Sequence, residues 1–450
     1  MKKTSLVSVL FSIVLTLSIS AENFDKTINN IMNAVYPEDK PGASLIVVKD
    51  GKIIFENGYG LADVEDNLSV SSKHVFRLGS ITKQFTAVAI LMLAQEGKLS
   101  LDDDLLKYVP DYPVHDQKIT IKNLLSHTSG IFNYTNMKEW LPVWRKDYSV
   151  DEMIDFFKDQ PTDFNPGEEW NYSNSGYFLL GKIIEVASGM SYEQFIEEKI
   201  FKALGMKNSY YDHVAEIIPN RASGYSMGDQ GVENAAYISM TQPYSAGSLA
   251  STVKDLALWD TALYTEQLVS QALLEEAWTD FKLNNAEKSY YGYGWSISEL
   301  QGKKAIEHSG GIHGFSTFGI RLPEDKIYVA ILTNSDSSSP SLPALQIAAL
   351  VSGNPIVAPE VISLNDKALS EFVGIYHFES NAERVITLKD GQLYSQRAGG
   401  HVFDIEPYGK DKFFFKDSFT RLIFERNEAG KIVSVYTKTR GRIGVKAFMK

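Results

Sequence analysis

Two stretches far apart in the chain constrain the fold most. "ASLIVVKDGKIIFENGYG", residues 43–60, holds two alternating apolar runs joined by Asp50-Gly51. That dipeptide is a strong hairpin signal, because the tight turn needs positive φ at both positions. "AIEHSGGIHGFSTFGIRLPEDKIYVAILTNS", residues 305–335, again holds apolar runs, turned by "PEDK". Between them lie amphipathic helical patterns and Trp- and Tyr-rich loops. Strands at both ends of a helical middle predict one antiparallel sheet closed by the two ends of the unit, with helices packed on it.

The other segments differ in texture. "MKKTSLVSVLFSIVLTLSIS" sets Lys2 and Lys3 before an apolar run from Leu6 to Ile19, followed by small residues. It reads as a secretory signal over residues 1–20, since the run is shorter than the ~18 residues or more that a membrane span needs. "SDSSSPSLP" after Asn334 and "GNPIVAPE" near residue 353 read as loop and linker. Beyond Val373, short β-type runs alternate with turn residues, which predicts a small all-β domain. The expected boundaries are 21–353 for the first domain, 354–372 for the linker and 373–450 for the second.

With no cysteine there are no disulfides, thiolate metal sites or thiol nucleophiles. The eight histidines are scattered and no H-E-x-x-H occurs, so neither a metal nor a cofactor is implied. Formal charge is −12, becoming −14 without Lys2 and Lys3, which disfavours nucleic acid and anionic membrane as partners.

The chemistry centres on "FRLGSITKQFTAVAI", residues 76–90. A serine hydroxyl needs a base to become a useful nucleophile. On a helix, residues three apart share a face, so Lys83 can fold back onto Ser80. Burial would disfavour the ammonium and free the amine to act as base, or as the cation that keeps another base ionised. S-x-x-K is a weak pattern by itself and recurs as "STVK", Ser251–Lys254, where Thr252 and Asp255 read instead as a capping box.

The segment around Ser80 resembles the nucleophile segment of the serine β-lactamase and penicillin-binding-protein superfamily. It is most similar to the branch with class C β-lactamases, DD-peptidases, D-aminopeptidases and related esterases. "PGEEWNYSNSGYFLLGKIIE" supplies the Y-x-N element as Tyr172, Ser173 and Asn174. A second Y-x-N, Tyr134–Asn136, lacks that context and reads as loop. The family's K-T-G strand is replaced by "HSGG", His308–Gly311, as in the H-x-G members.

The resemblance implies an α/β (α+β) β-lactamase/transpeptidase-like domain, followed by a lipocalin-like all-β barrel. It makes Ser80 the nucleophile, with Lys83 and Tyr172 in proton transfer. The backbone N–H groups of Ser80 and Gly311 would form the oxyanion hole, and Asn174, His308, Ser309 and Gly310 would bind substrate. His308 is expected to be a donor whose charge follows pH, and His127 to be structural. The implied protein is a periplasmic or secreted serine hydrolase with no stable membrane span after cleavage. It would act through an acyl-enzyme on a small-molecule or peptide substrate, peptidoglycan-derived ones included, with a D-amino-acid peptide favoured. A short-acyl esterase, a β-lactamase and a catalytically silent cell-wall or peptide sensor are the alternatives.

Overall fold

The structure, a computed structural model, describes residues 21–114, 116–416 and 418–449. The segment read as a secretory signal lies outside the described residues. Helix α1 (Ala21–Asn33) precedes the hairpin of β1 (Ala43–Lys49) and β2 (Lys52–Tyr59), turned by Asp50 and Gly51, both at positive φ. Helices α2 (Thr82–Gln95), α3 (Asn174–Ser188) and α4 (Val253–Ala262) belong to the helical middle. Four more strands follow: β3 (Ser296–Leu300), β4 (Lys303–Ile312), β5 (Phe315–Leu322) and β6 (Ile327–Thr333). They complete an antiparallel sheet in the order β3-β4-β5-β6-β1-β2, with Ala43 opposite Thr333.

The period of two along the strands builds two cores. Ile46, Val48, Ile306, Tyr328, Ala330 and Leu332 face the helical body. Leu45, Val47, Ile320, Val329 and Ile331 face the other way, onto Ile28 and Met32 of α1 and Ile347 and Ala348 of α5 (Ser341–Val351). The stretch read as loop after Asn334 therefore ends in a helix, whose first turn is the "SLP" of the serine-rich run. Helix α2 is buried on nearly every side, so it lies between the sheet and α3 rather than on the surface. Phe85 stacks on Trp259 of α4 at 4.1 Å, and Asp260 of α4 pairs with Arg321 of β5 at 2.7 Å, both side chains buried. These contacts fix α2, and with it Ser80, against the sheet.

The C-terminal strands are β7 (Gly374–His377), β8 (Glu383–Lys389), β9 (Gln392–Arg397), β10 (Val402–Gly409), β11 (Lys412–Phe414), β12 (Thr420–Arg426), β13 (Ile432–Thr439) and β14 (Ala447–Met449). They run in the order β12-β11-β10-β9-β8-β7-β14-β13, and pairing of β12 with β13 closes an eight-stranded barrel. At the end of β13, Arg440 grips Glu307 of β4 with two hydrogen bonds of 2.7 and 2.6 Å and also reaches Ser298 Oγ and Glu299 O. Arg442 lies over the ring of Tyr290, and Phe419 packs on the core behind the sheet.

Candidate active site

Ser80 sits in a 3-10 turn, Gly79–Ile81, that runs directly into α2. Gly79 has φ of 53°, and a Cβ there would lie 2.8 Å from Gly311 N, so only glycine lets the turn meet strand β4 so closely. At Gly310 a Cβ would lie 2.0 Å from Leu78 O and 2.2 Å from Thr317 Oγ1. The two glycines bring the start of α2 onto the strand that carries Gly311.

Lys83 is fully buried, with its Nζ 3.1 Å from Ser80 Oγ, 2.8 Å from Asn174 Oδ1 and 2.9 Å from Ala246 O. The rings of Tyr172 and Tyr177 cover it, with centroids at 4.7 and 5.4 Å. Among the described residues no carboxylate pairs with it, and burial holds its pKa well below the ordinary lysine range. Two of its partners are carbonyl oxygens, which only accept, while the third is a hydroxyl, which can donate. A neutral amine has two N–H groups and one lone pair, and this is the set it meets.

Burial pushes the Tyr172 phenol up, and proximity to Ser80 opposes this only in part. Its hydroxyl is shielded and makes no well-formed hydrogen bond among the described residues. Tyr172 thus stays a neutral phenol in the free protein, not the phenolate that a lysine cation would stabilise. His127 supports it from below: its ring lies 4.3 Å from Tyr172, 5.0 Å from Tyr177 and 4.7 Å from Tyr291, and its Nδ1 accepts from Ser173 N. Asn174 opens α3, whose first turn is capped by Ser173. With its Oδ1 committed to Lys83, its Nδ2 points toward Thr135 Oγ1 at 3.4 Å.

A cavity of about 290 Å³ opens beside Ser80, lined among others by Asn174, Gly311, Tyr134, Thr135, Trp140 and Ile312. Among the described residues that line it, none is Asp, Glu, Lys or Arg. Strand β3 pairs with β4 only up to Ser296 opposite Glu307, so the backbone from His308 to Ile312 keeps a free edge on that side. The expected role of His308 needs correction. The strand's alternation turns its side chain into the aromatic core, where Nε2 accepts from Tyr291 Oη at 2.8 Å and Nδ1 donates to Ser309 O at 2.5 Å. Burial, with Lys83 nearby, depresses its pKa to about 3, so it carries no charge near neutral pH. Neither His308 nor the Ser309 and Gly310 that follow it line the cavity; what Ser309 and Gly310 offer is strand edge and close packing.

The second S-x-x-K separates. Ser251 is buried in a short strand against Ser209, and Lys254 points outward to Glu56. Thr252 caps α4, but the Asp255 carboxylate binds Asn208 N and Ser209 Oγ, so only half of the expected capping box forms. Sequence reasoning missed Tyr134 and Thr135, which form a wall of the cavity rather than a plain loop. It also missed Arg77, Asp212 and Arg221, which join in an ion cluster beside an adjoining cavity that shares His313. Their positions are separated by long, irregular chain, and no spacing rule links them.

Residues 24–352 match the Beta-lactamase family model. Over 421 residues the chain is 28% identical to Penicillin-binding protein 4* of Bacillus subtilis (strain 168), covering 88% of this chain and 92% of that one. Among solved structures it resembles the octameric penicillin-binding protein homologue from Pyrococcus abyssi, with a TM-score of 0.67, 28% identity and coverage of 96% of this chain and 100% of that chain. It also resembles the D-amino acid amidase from Ochrobactrum anthropi SV3, with a TM-score of 0.62, 25% identity and coverage of 74% and 97%.

Proposed function

Because this chain belongs to the beta-lactamase family, as a serine β-lactamase-fold hydrolase related to penicillin-binding proteins and D-amino acid amidases, we propose that Ser80 attacks the carbonyl of a D-amino-acid peptide or amide to form an acyl-enzyme. The observation that carries this reading is the sealed Lys83 amine at 3.1 Å from Ser80 Oγ, without a carboxylate partner among the described residues. Lys83 takes the serine proton as its lone pair faces the hydroxyl. Tyr172 relays a proton to the leaving group, and Asn174 Nδ2 donates to the substrate. The backbone N–H groups of Ser80 and Gly311 stabilise the developing oxyanion. Water then releases the acyl group by the reverse proton path.

The uncharged cavity lining disfavours a substrate whose free carboxylate lies beside the scissile bond, as in penicillins, because no cation waits for it. The free edge of β4 favours an extended acyl chain laid along the strand. The apolar walls from Trp140, Ile238 and Ile312 also suit short-acyl esters, which is the second reading. Export to the periplasm or beyond rests on the basic, apolar N-terminal stretch alone.

The test pairs fluorophosphonate labelling with a panel of D-amino-acid amides, D-peptides, p-nitrophenyl esters and a chromogenic cephalosporin. Label on Ser80, lost in Ser80→Ala and kept in Ser251→Ala, with amide or D-peptide turnover well above cephalosporin turnover, is the expected result. A Ser80→Ala protein that still turns over substrate would remove the acyl-enzyme reading. A wild-type protein that neither labels nor hydrolyses would leave the sensor reading in its place.

A further inference from the structure

The C-terminal barrel has a filled end and a hollow end. Ile386, Leu393, Ile405, Phe413 and Leu422 pack its interior. Two residues along the chain from these stand Arg384, Ser395, Phe403, Phe415 and Thr420, of which Arg384 and Ser395 are buried and Phe403 is half exposed. These, together with Arg397 and Thr437, surround a cavity of about 400 Å³, a size at which small-molecule sites occur.

The charges in this cavity do not balance. Arg384 is only 8% exposed, and the one hydrogen-bond partner of its guanidinium among the described residues is Ser395 Oγ, at 2.8 Å. Arg397 lies directly opposite it on the neighbouring strand and rests on the ring of Phe378 at 4.7 Å. Like charges directly opposite across a ladder repel; among the described residues Arg384 meets the Ser395 hydroxyl and the exposed Arg397 meets the Phe378 ring, neither of them a carboxylate. Burial and the second arginine pull the Arg384 pKa down to about 10. The remaining nearby cation, Lys416, is already held by Asp404 and Glu406. A buried cation kept without a partner is costly unless something supplies the anion.

We propose that the barrel binds a carboxylate-bearing amphiphile, its head group between Arg384 and Arg397 and its apolar body against Phe403 and Phe415. A planar carboxylate suits the guanidinium fork, and the serine and threonine hydroxyls around it add neutral donors. The site is distinct from the Ser80 cavity and does not depend on the reading of that site.

Calorimetric titration of the full mature chain with decanoate, 1-decanol and decylamine tests it, with no variant needed for the first arm. Decanoate should bind at least about tenfold more tightly than decanol, and decylamine should not bind. Arg384→Met should erase the preference for decanoate, raise the melting temperature of the ligand-free chain, and leave ester turnover at Ser80 unchanged. Ser80→Ala should bind decanoate like the wild type. Equal binding of decanoate and decanol, or no binding of either, overturns the proposal. So does strong coupling between Arg384→Met and Asp417→Asn in the stability of the ligand-free chain, since it would make Asp417, which lies outside the described residues, the partner of Arg384.

Discussion

An amine sealed between two carbonyl oxygens and a hydroxyl gives up its proton more readily than one in water, and the activity of this protein should record that. Below the depressed pKa of Lys83 the amine is an ammonium and cannot take the Ser80 proton. For a neutral ester, kcat/KM should therefore fall as pH falls through that value and be flat above it. Lys83→Arg, whose guanidinium stays protonated, should lose about 10²–10⁴-fold at every pH. An acid limb that survives unchanged in a Lys83 variant with residual activity would assign the limb to another group. His308 behaves oppositely to its sequence expectation. With a pKa near 3 it stays neutral from pH 5 to 8, and its imidazole proton resonances should not shift across that range. Since the folded state resists protonating it, its contribution to stability is present above the unfolded pKa of ~6.5 and is lost as pH falls from there toward 3. A resonance titrating near 6.5 would return His308 to the solvent side.

Elements meet here at spacings that tolerate no side chain. Gly310→Ala would place a methyl carbon 2.0 Å from Leu78 O, and the nucleophile turn must move to admit it. A displacement of about 1 Å at a reacting group costs on the order of 10²-fold, so kcat should drop by that much while far-UV circular dichroism stays native. Wild-type kcat in Gly310→Ala would show that the turn and strand adjust independently. Much of this framework was legible in the chain: Asp50-Gly51 marked the hairpin, and the two apolar regions marked the strands that close the sheet. The orientation of His308 was not, because alternation says that neighbours face opposite ways but not which way is inward. Helix α5 was obscured by the Ser- and Pro-rich run that leads into it, and nothing in "ERVITLK" marks Arg384 as a residue that turns inward. Both depend on what the rest of the fold places beside them.

At the scale of the whole molecule, the barrel is held to the sheet by the turn after β13 and by Phe419. Arg440 and Glu307 are each only 12% exposed and share two hydrogen bonds, on the residue that precedes His308. Removing Arg440 leaves Glu307 partly buried without its cation. Arg440→Ala should thus cost about 1–3 kcal/mol in a stability measurement and make the 354–365 connection easier for a protease to cut. Unchanged stability and cleavage would mean that Phe419 and Arg442 hold the barrel unaided.

The pairing of Ala43 with Thr333 has a consequence for how the molecule is made. Strand β1 finishes its synthesis long before β6 exists, and it has no other partner on that side. Until nearly three hundred further residues have followed, the first hairpin carries an open apolar edge that can stick to other chains. Contacts this distant in sequence also form slowly, since the loop between them must first be closed. A polypeptide arranged in this way cannot lock its sheet early, and it completes its core only once the final strand of the sheet has emerged.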